Sequence, residues 1–122
     1  MMVLVDTSVW IDHLRNSESE LVKLLESNRV LGHPFVRGEL ALGNLNKREI
    51  ILKALDNLPQ APVAFHNEMN GFIENHALFG LGIGFIDAHL LASIRLAVNA
   101  KLWTRDKRLL ATANKFDLTY FP

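Results

Sequence analysis

Residues 2–5, Met-Val-Leu-Val, form an unbroken apolar run that stops at Asp6-Thr7-Ser8. So short a run, without alternation, suits a strand buried on both faces, and such a strand needs helices above and below it. The rest of the chain supplies them. Val9, Trp10 and Leu14 recur at roughly helical spacing, and Ser17-Glu18-Ser19-Glu20 has the form of a capping box opening a second helix through Leu21, Leu24 and Leu25. Arg29 to Leu31 reads as a short strand, and Pro34 starts a helix carrying Phe35, Glu39 and Leu42. Lys47 to Leu58 reads as a helix closed by Pro59, Val63 to Phe65 as a brief strand, and residues 66–79 as helical. The glycines of Gly80-Leu81-Gly82-Ile83-Gly84 make a flexible connection. Beyond it, Phe85 to Val98 carries Ile86, Leu90, Ile94 and Val98 along one stripe. Leu102-Trp103 is a short strand, Lys107 to Asn114 a helix and Leu118 to Phe121 a closing strand. Short apolar strands alternating with helices predict an α/β fold with a parallel sheet covered on both faces.

A chain of 122 residues fits one domain, residues 1–122, and no repeat or linker-like stretch divides it. With no cysteine there is no disulfide, thiolate metal site or cysteine nucleophile. The first apolar run is too short for a signal-peptide core and no later one approaches a membrane span, so a soluble cytoplasmic protein is expected. Thirteen basic residues balance thirteen acidic ones. A chain with no net charge does not grip nucleic acid by its overall field; contact with phosphate has to rest on a local patch or a bound cation.

Sites in open α/β sheets form outside the carboxyl ends of the strands. Asp6 directly follows the first strand, Asp106 lies just past the Leu102-Trp103 strand, Asp87 opens the long helix after the glycine loop, and Glu39 stands in an otherwise apolar helix. Singly, Asp6 and Asp106 are readable as helix caps, Asp87 as a partner of the helix dipole and Glu39 as a solvated acid. Together they could converge. Two carboxylates about 5 Å apart repel by roughly 3 kcal/mol at an effective dielectric near 20, so four would need a cation or shared protons. Hard oxygen ligands without cysteine suit Mg²⁺ or Mn²⁺, which can activate water for phosphodiester cleavage. Ser8 and Thr104 are hydroxyls beside two of the acids, positioned to hold a carboxylate or to cap. Arg95, Arg105, Lys107 and Arg108 form a basic group that either holds flanking phosphates or is a solvated helix face.

Four blocks, in order and across essentially the whole chain, resemble the PIN-domain family and within it the VapC-type toxins of bacterial and archaeal toxin–antitoxin pairs. They are Val3-Leu4-Val5-Asp6-Thr7-Ser8-Val9-Trp10-Ile11-Asp12, Val36-Arg37-Gly38-Glu39-Leu40, Phe85-Ile86-Asp87-Ala88-His89-Leu90-Leu91-Ala92 and Leu102-Trp103-Thr104-Arg105-Asp106-Lys107-Arg108-Leu109. The resemblance implies a three-layer α/β/α fold with a central, mostly parallel sheet and a Mg²⁺- or Mn²⁺-dependent endoribonuclease. Carried over by position, Asp6, Glu39, Asp87 and Asp106 would be the acidic catalytic and metal-binding set, lined by Ser8 and Thr104. It also implies a homodimer, a VapB-type antitoxin lying over the active-site groove, and RNA substrates among which structured RNAs such as tRNA are common. Some relatives carry a further acid shortly after the third; here Ala88 and His89 follow Asp87, which leaves a second metal site without its ligand.

Other features carry less. His13, His33, His66 and His76 have no ligand spacing, and His89 faces away from Asp87 on a regular helix. Asp12, Glu68 and Glu74 read as surface acids, and Trp10 and Trp103 as core. The glycine loop lacks a complete dinucleotide-binding pattern. The leucines of residues 21–31 and 47–58 either fill the core or mark an interface. A strand running into Asp-Thr-Ser is similar to the nucleophile loop of haloacid dehalogenase-type phosphatases, but Ser8 stands where that class needs a second acid. The remaining alternative is a non-catalytic PIN-like module that binds RNA or protein.

Overall fold

The computed structural model describes residues 1–122, and its sheet is built around the first apolar run. Strand β1 (Met2–Val5) lies between β2 (Val30–Leu31) and β3 (Ala100–Trp103), all parallel, in the order β2-β1-β3. Val3 and Leu4 face Val30 and Leu31 on one side; Met2 to Val5 face Ala100 to Trp103 on the other. Val3, Leu4 and Val5 point to alternate faces and all have no exposed surface, so both faces are covered. The covering comes from α1 (Thr7–Arg15), α2 (Ser19–Glu26), α3 (Pro34–Ala41), α4 (Arg48–Asp56), α5 (His66–Asn75), α6 (Phe85–Leu96) and α7 (Lys107–Lys115). The result is the three-layer α/β/α arrangement with an all-parallel sheet. No helix is long and apolar enough to cross a membrane.

One core gathers Val9 and Trp10 of α1, Leu21 and Leu24 of α2, Val36 and Leu40 of α3, and Leu90, Leu91 and Ile94 of α6 around the strands. The leucines of α2 therefore turn inward; the exposed apolar side chains lie elsewhere, as at Leu42, Phe65 and Phe79. A smaller core joins α5 to α6 through Met69, Ala88 and Ala92.

Four local readings change. Ser17 does not cap α2: the cap position is Glu18, with no side-chain bond to the helix, because its carboxylate is drawn to Arg105. Val63 to Phe65 forms no strand; the sheet edge is met instead by a single parallel bridge from Gln60 to Gly32. The expected closing strand is likewise one bridge, Thr119 to Leu102, after which the chain runs off the sheet. Helix α6 ends at Leu96, two residues early, leaving Val98 on the surface.

Candidate active site

The parallel register fixes the first half of the site. Val5 pairs with Trp103, and the Asp6 amide donates to the Trp103 carbonyl at 2.9 Å, so the residues leaving β1 and β3 emerge side by side. Because β2 and β3 flank β1 on opposite sides, this is where the strand order switches, the place at which such sheets open a crevice. Asp6 is buried there, and its Oδ2 accepts from the hydroxyls of Ser8 (2.7 Å) and Thr104 (2.8 Å). The Ser8 hydroxyl also accepts from the Arg105 amide at 3.0 Å, and the Thr104 hydroxyl from the Asp106 amide at 3.1 Å. These bonds tie the start of α1 to the residues between β3 and α7.

The other acids are each oriented by one oxygen. Asp106 caps α7, its Oδ1 accepting from the Leu109 amide at 2.9 Å. Asp87, on the first turn of α6, accepts from the Gly84 amide through Oδ2 at 3.1 Å. Glu39, on α3, accepts through Oε1 from the Thr7 hydroxyl at 2.6 Å. In all four carboxylates the second oxygen takes no hydrogen bond from the protein. Thr7 was not singled out by the sequence; its adjacency to Ser8 was the available signal, but its partner lies 32 residues away.

Electrostatics shows that the four acids share one field. The Asp87 carboxyl is raised above the ordinary aspartate value, first by burial and then by the charges of Asp6, Asp106 and Glu39, with the Gly84 amide working the other way. No three acidic or histidine side chains stand close enough to cage a cation unaided. Mg²⁺ does not require that, since it commonly binds one or two carboxylates and keeps its waters. The donor set, hard oxygens with one free oxygen per carboxylate, fits such an ion.

The basic residues separate. The Arg105 guanidinium bonds Asp12 and Glu18, both at 2.6 Å through Nη1, and lies over the Trp103 ring. Arg108 is exposed, forms no ion pair, and rests against Gly82 in the loop that leads to Asp87. Lys107 is exposed beside it. Arg95 is eight positions along α6 from Asp87, about 12 Å of helix. His89 is buried between Phe35 and Phe85, edge-on to both, and its Nδ1 has no partner. A cavity of about 480 Å³ opens beside Glu39, lined by Ile11, Leu14, Leu40, Leu45 and Ile51 among others.

Comparison with known proteins gives two kinds of match. The family model described as "PIN domain" matches residues 3–115. Ribonuclease VapC32 of Mycobacterium tuberculosis (strain CDC 1551 / Oshkosh) is 49% identical over 110 residues, which is 90% of this chain and 89% of the relative. The protein of the same name from strain H37Rv gives the same figures.

Proposed function

The chain belongs to the PIN-domain family, in its VapC-type branch, and from that premise we propose that residues 1–122 form one domain acting as a metal-dependent endoribonuclease, the toxin of a type II toxin–antitoxin pair in the cytoplasm. The observation that carries the reading is the junction where β1 and β3 end side by side: Thr104 bonds both the Asp6 carboxylate and the Asp106 amide there, Thr7 ties in Glu39, and the Asp87 carboxyl is raised in part by all three acids. A relative named as a ribonuclease, 49% identical, supports the substrate class.

Mg²⁺ or Mn²⁺ would bind at the edge lined by Asp6, Glu39, Asp87 and Asp106, held directly by one or two of the carboxylates and by the others through its waters. Such an ion, when bound, supplies Lewis-acid polarisation of the scissile phosphate and an activated water. The chain's own residues keep the carboxylates oriented: Ser8 and Thr104 fix Asp6, Thr7 fixes Glu39, and the Gly84 and Leu109 amides fix Asp87 and Asp106. Burial and the charges of Asp6, Asp106 and Glu39 raise the Asp87 carboxyl above the ordinary aspartate value. Lys107 and Arg108, exposed beside Asp106, hold phosphates flanking the cut. The cavity beside Glu39, lined by aliphatic side chains together with Arg15, Asn44 and Asn46, suits a side chain of a VapB-type antitoxin, and exposed Phe65 and Phe79 suit a homodimer contact.

The test is cleavage of a mixed cellular RNA pool, tRNA included, by partner-free protein with Mn²⁺ or Mg²⁺, with EDTA, and with Asp6→Asn. Discrete fragments that need both metal and Asp6 are expected. Asp6→Asn, Glu39→Gln, Asp87→Asn and Asp106→Asn should each lower the rate on the order of 10²-fold or more while the proteins stay folded. No cleavage together with no metal binding would leave a non-catalytic RNA- or protein-binding module.

A further inference from the structure

The loop Thr104-Arg105-Asp106 makes three hydrogen bonds on which the site depends. Thr104 donates to Asp6 (2.8 Å) and accepts from the Asp106 amide (3.1 Å), while the Arg105 amide donates to Ser8 (3.0 Å), which itself donates to Asp6 (2.7 Å). A loop between a strand and a helix is anchored by few backbone bonds, so its placement depends on its side chains. Here the anchor is Arg105. One guanidinium nitrogen bonds Asp12, on the second turn of α1, and Glu18, at the cap of α2, each at 2.6 Å. The guanidinium carbon stands 5.6 Å from the centre of the Trp103 ring, whose residue is the last of β3 and is itself buried. Glu18 is held from its other side, its amide donating to His13 Nδ1 at 3.0 Å. The three charged side chains are 28–46% exposed, too wet for the pairs to serve mainly as a source of stability. Their partners lie 87 and 93 residues away in sequence, which makes them a geometric tie.

We propose that Arg105 is a positioning residue of the acidic site: its ion pairs to Asp12 and Glu18 hold the Thr104–Asp106 loop against α1, and through Thr104 and Ser8 they set the orientation of Asp6 and Asp106. Arg105 is therefore not a phosphate ligand, and Asp12 and Glu18, both bonded to its guanidinium, act through it. The inference rests on the ribonuclease reading above.

Its test uses the RNA whose cut is mapped in the pool experiment, in steady-state cleavage and in binding at several salt concentrations, with Arg105→Ala, Arg105→Lys, Asp12→Asn/Glu18→Gln and the triple variant. The Ala change should lower kcat by about 10- to 100-fold, the range expected from misplacing catalytic groups by about an ångström, with KM nearly unchanged. The Lys change should restore part of kcat, because an ammonium can reach the carboxylates but does not stack on Trp103 as a guanidinium does. Asp12→Asn/Glu18→Gln should reproduce the loss, and adding Arg105→Ala to it should cost little more, since the tie is already cut. The neutralised background also removes the repulsion between Asp12 and Glu18 that Arg105→Ala alone exposes. Amide hydrogen exchange at Arg105 and Asp106 should speed up in the variants while exchange in β1 does not.

A salt slope for binding that falls by about 0.7 in Arg105→Ala, with raised KM and unchanged kcat, would make Arg105 a phosphate contact and overturn the proposal. Unchanged kcat with unchanged exchange would also overturn it. If the wild type neither cleaves RNA nor binds metal, the ribonuclease reading falls by itself, and faster exchange at Arg105 and Asp106 in the variants still decides whether the tie exists.

Discussion

His33 gives the molecule a calculable sensitivity to acid. Its ring is buried where β2 hands over to α3; Nδ1 accepts from the Phe35 amide at 3.0 Å, capping α3, and Nε2 faces the Ser93 hydroxyl on α6 at 2.9 Å. With Nδ1 accepting, the neutral ring carries its proton on Nε2 and donates to Ser93; a second proton would go on Nδ1 and break the cap. Burial, with a smaller contribution from His89, pushes the imidazole down from 6.5 to about 4. A depressed histidine contributes stability that is complete above its unfolded value and is lost as pH falls towards its folded one. The window is therefore pH 6.5 down to about 4, and between about pH 7.5 and about pH 4.5 the loss is on the order of 2–3 kcal/mol. His13 and His89 are also lowered by burial, so the wild-type curve alone does not isolate the effect. His33→Asn does: asparagine can still cap α3 but has no proton to gain. Its deficit at neutral pH, on the order of 1–3 kcal/mol for the lost Ser93 bond and ring packing, should shrink or reverse near pH 4.5 in urea unfolding. A deficit constant with pH to within about 0.5 kcal/mol would refute the assignment of the acid sensitivity to His33.

Asp87 has the opposite sign. A raised carboxyl destabilises the fold above its unfolded value, so Asp87→Asn, which keeps the Gly84 contact, should raise Tm at neutral pH in a metal-free buffer, with the gain vanishing below about pH 3.8. Gly71, inside α5 with open space where a Cβ would stand, should become Ala with a gain of about 0.5–1 kcal/mol in chemical unfolding. Gly80 and Gly82 both have positive φ, but only at Gly82 would a Cβ meet Arg108, at 2.9 Å. Gly82→Ala should therefore cost more than the roughly 1–2 kcal/mol of backbone strain expected for Gly80→Ala, and Arg108→Ala should remove the difference; equal costs in both backgrounds would count against the contact.

The layers were legible because they rest on local rules. An unbroken apolar run reads as a buried strand whatever surrounds it, and the α6 stripe repeats for three turns. What failed depended on distant partners. The Ser17 capping box is sound in isolation, yet Glu18 finds Arg105, 87 residues away, and α2 begins without a side-chain cap. Leu118 to Phe121 is apolar enough for a strand, but the Leu102 amide and carbonyl take only Leu118 and Tyr120, and pairing stops at one bridge. Arg105 reads as one more basic residue in a cluster until Asp12 and Glu18 are brought to it.

The acids were harder, because two readings treated as rivals turn out to be compatible. Asp6 caps α1, Asp106 caps α7, and Asp87 closes the first turn of α6, which is what a structural reading of each requires. Capping uses one carboxylate oxygen, however, and points the other past the helix end. In a parallel sheet the helices run back against the strands, so α1 and α7, which follow β1 and β3, and α6, which leads into β3, begin at the same edge and their first acids gather there as a matter of topology. The N-terminal ends of those helices stabilise the negative charge that the carboxylates impose on one another. Glu39 is the exception: it lies inside α3, exposed, and is tied to α1 by the Thr7 hydroxyl. Residue type and local position are thus enough to place three of the four acids at the edge, while the fourth follows from a contact between α1 and α3 that no local pattern encodes.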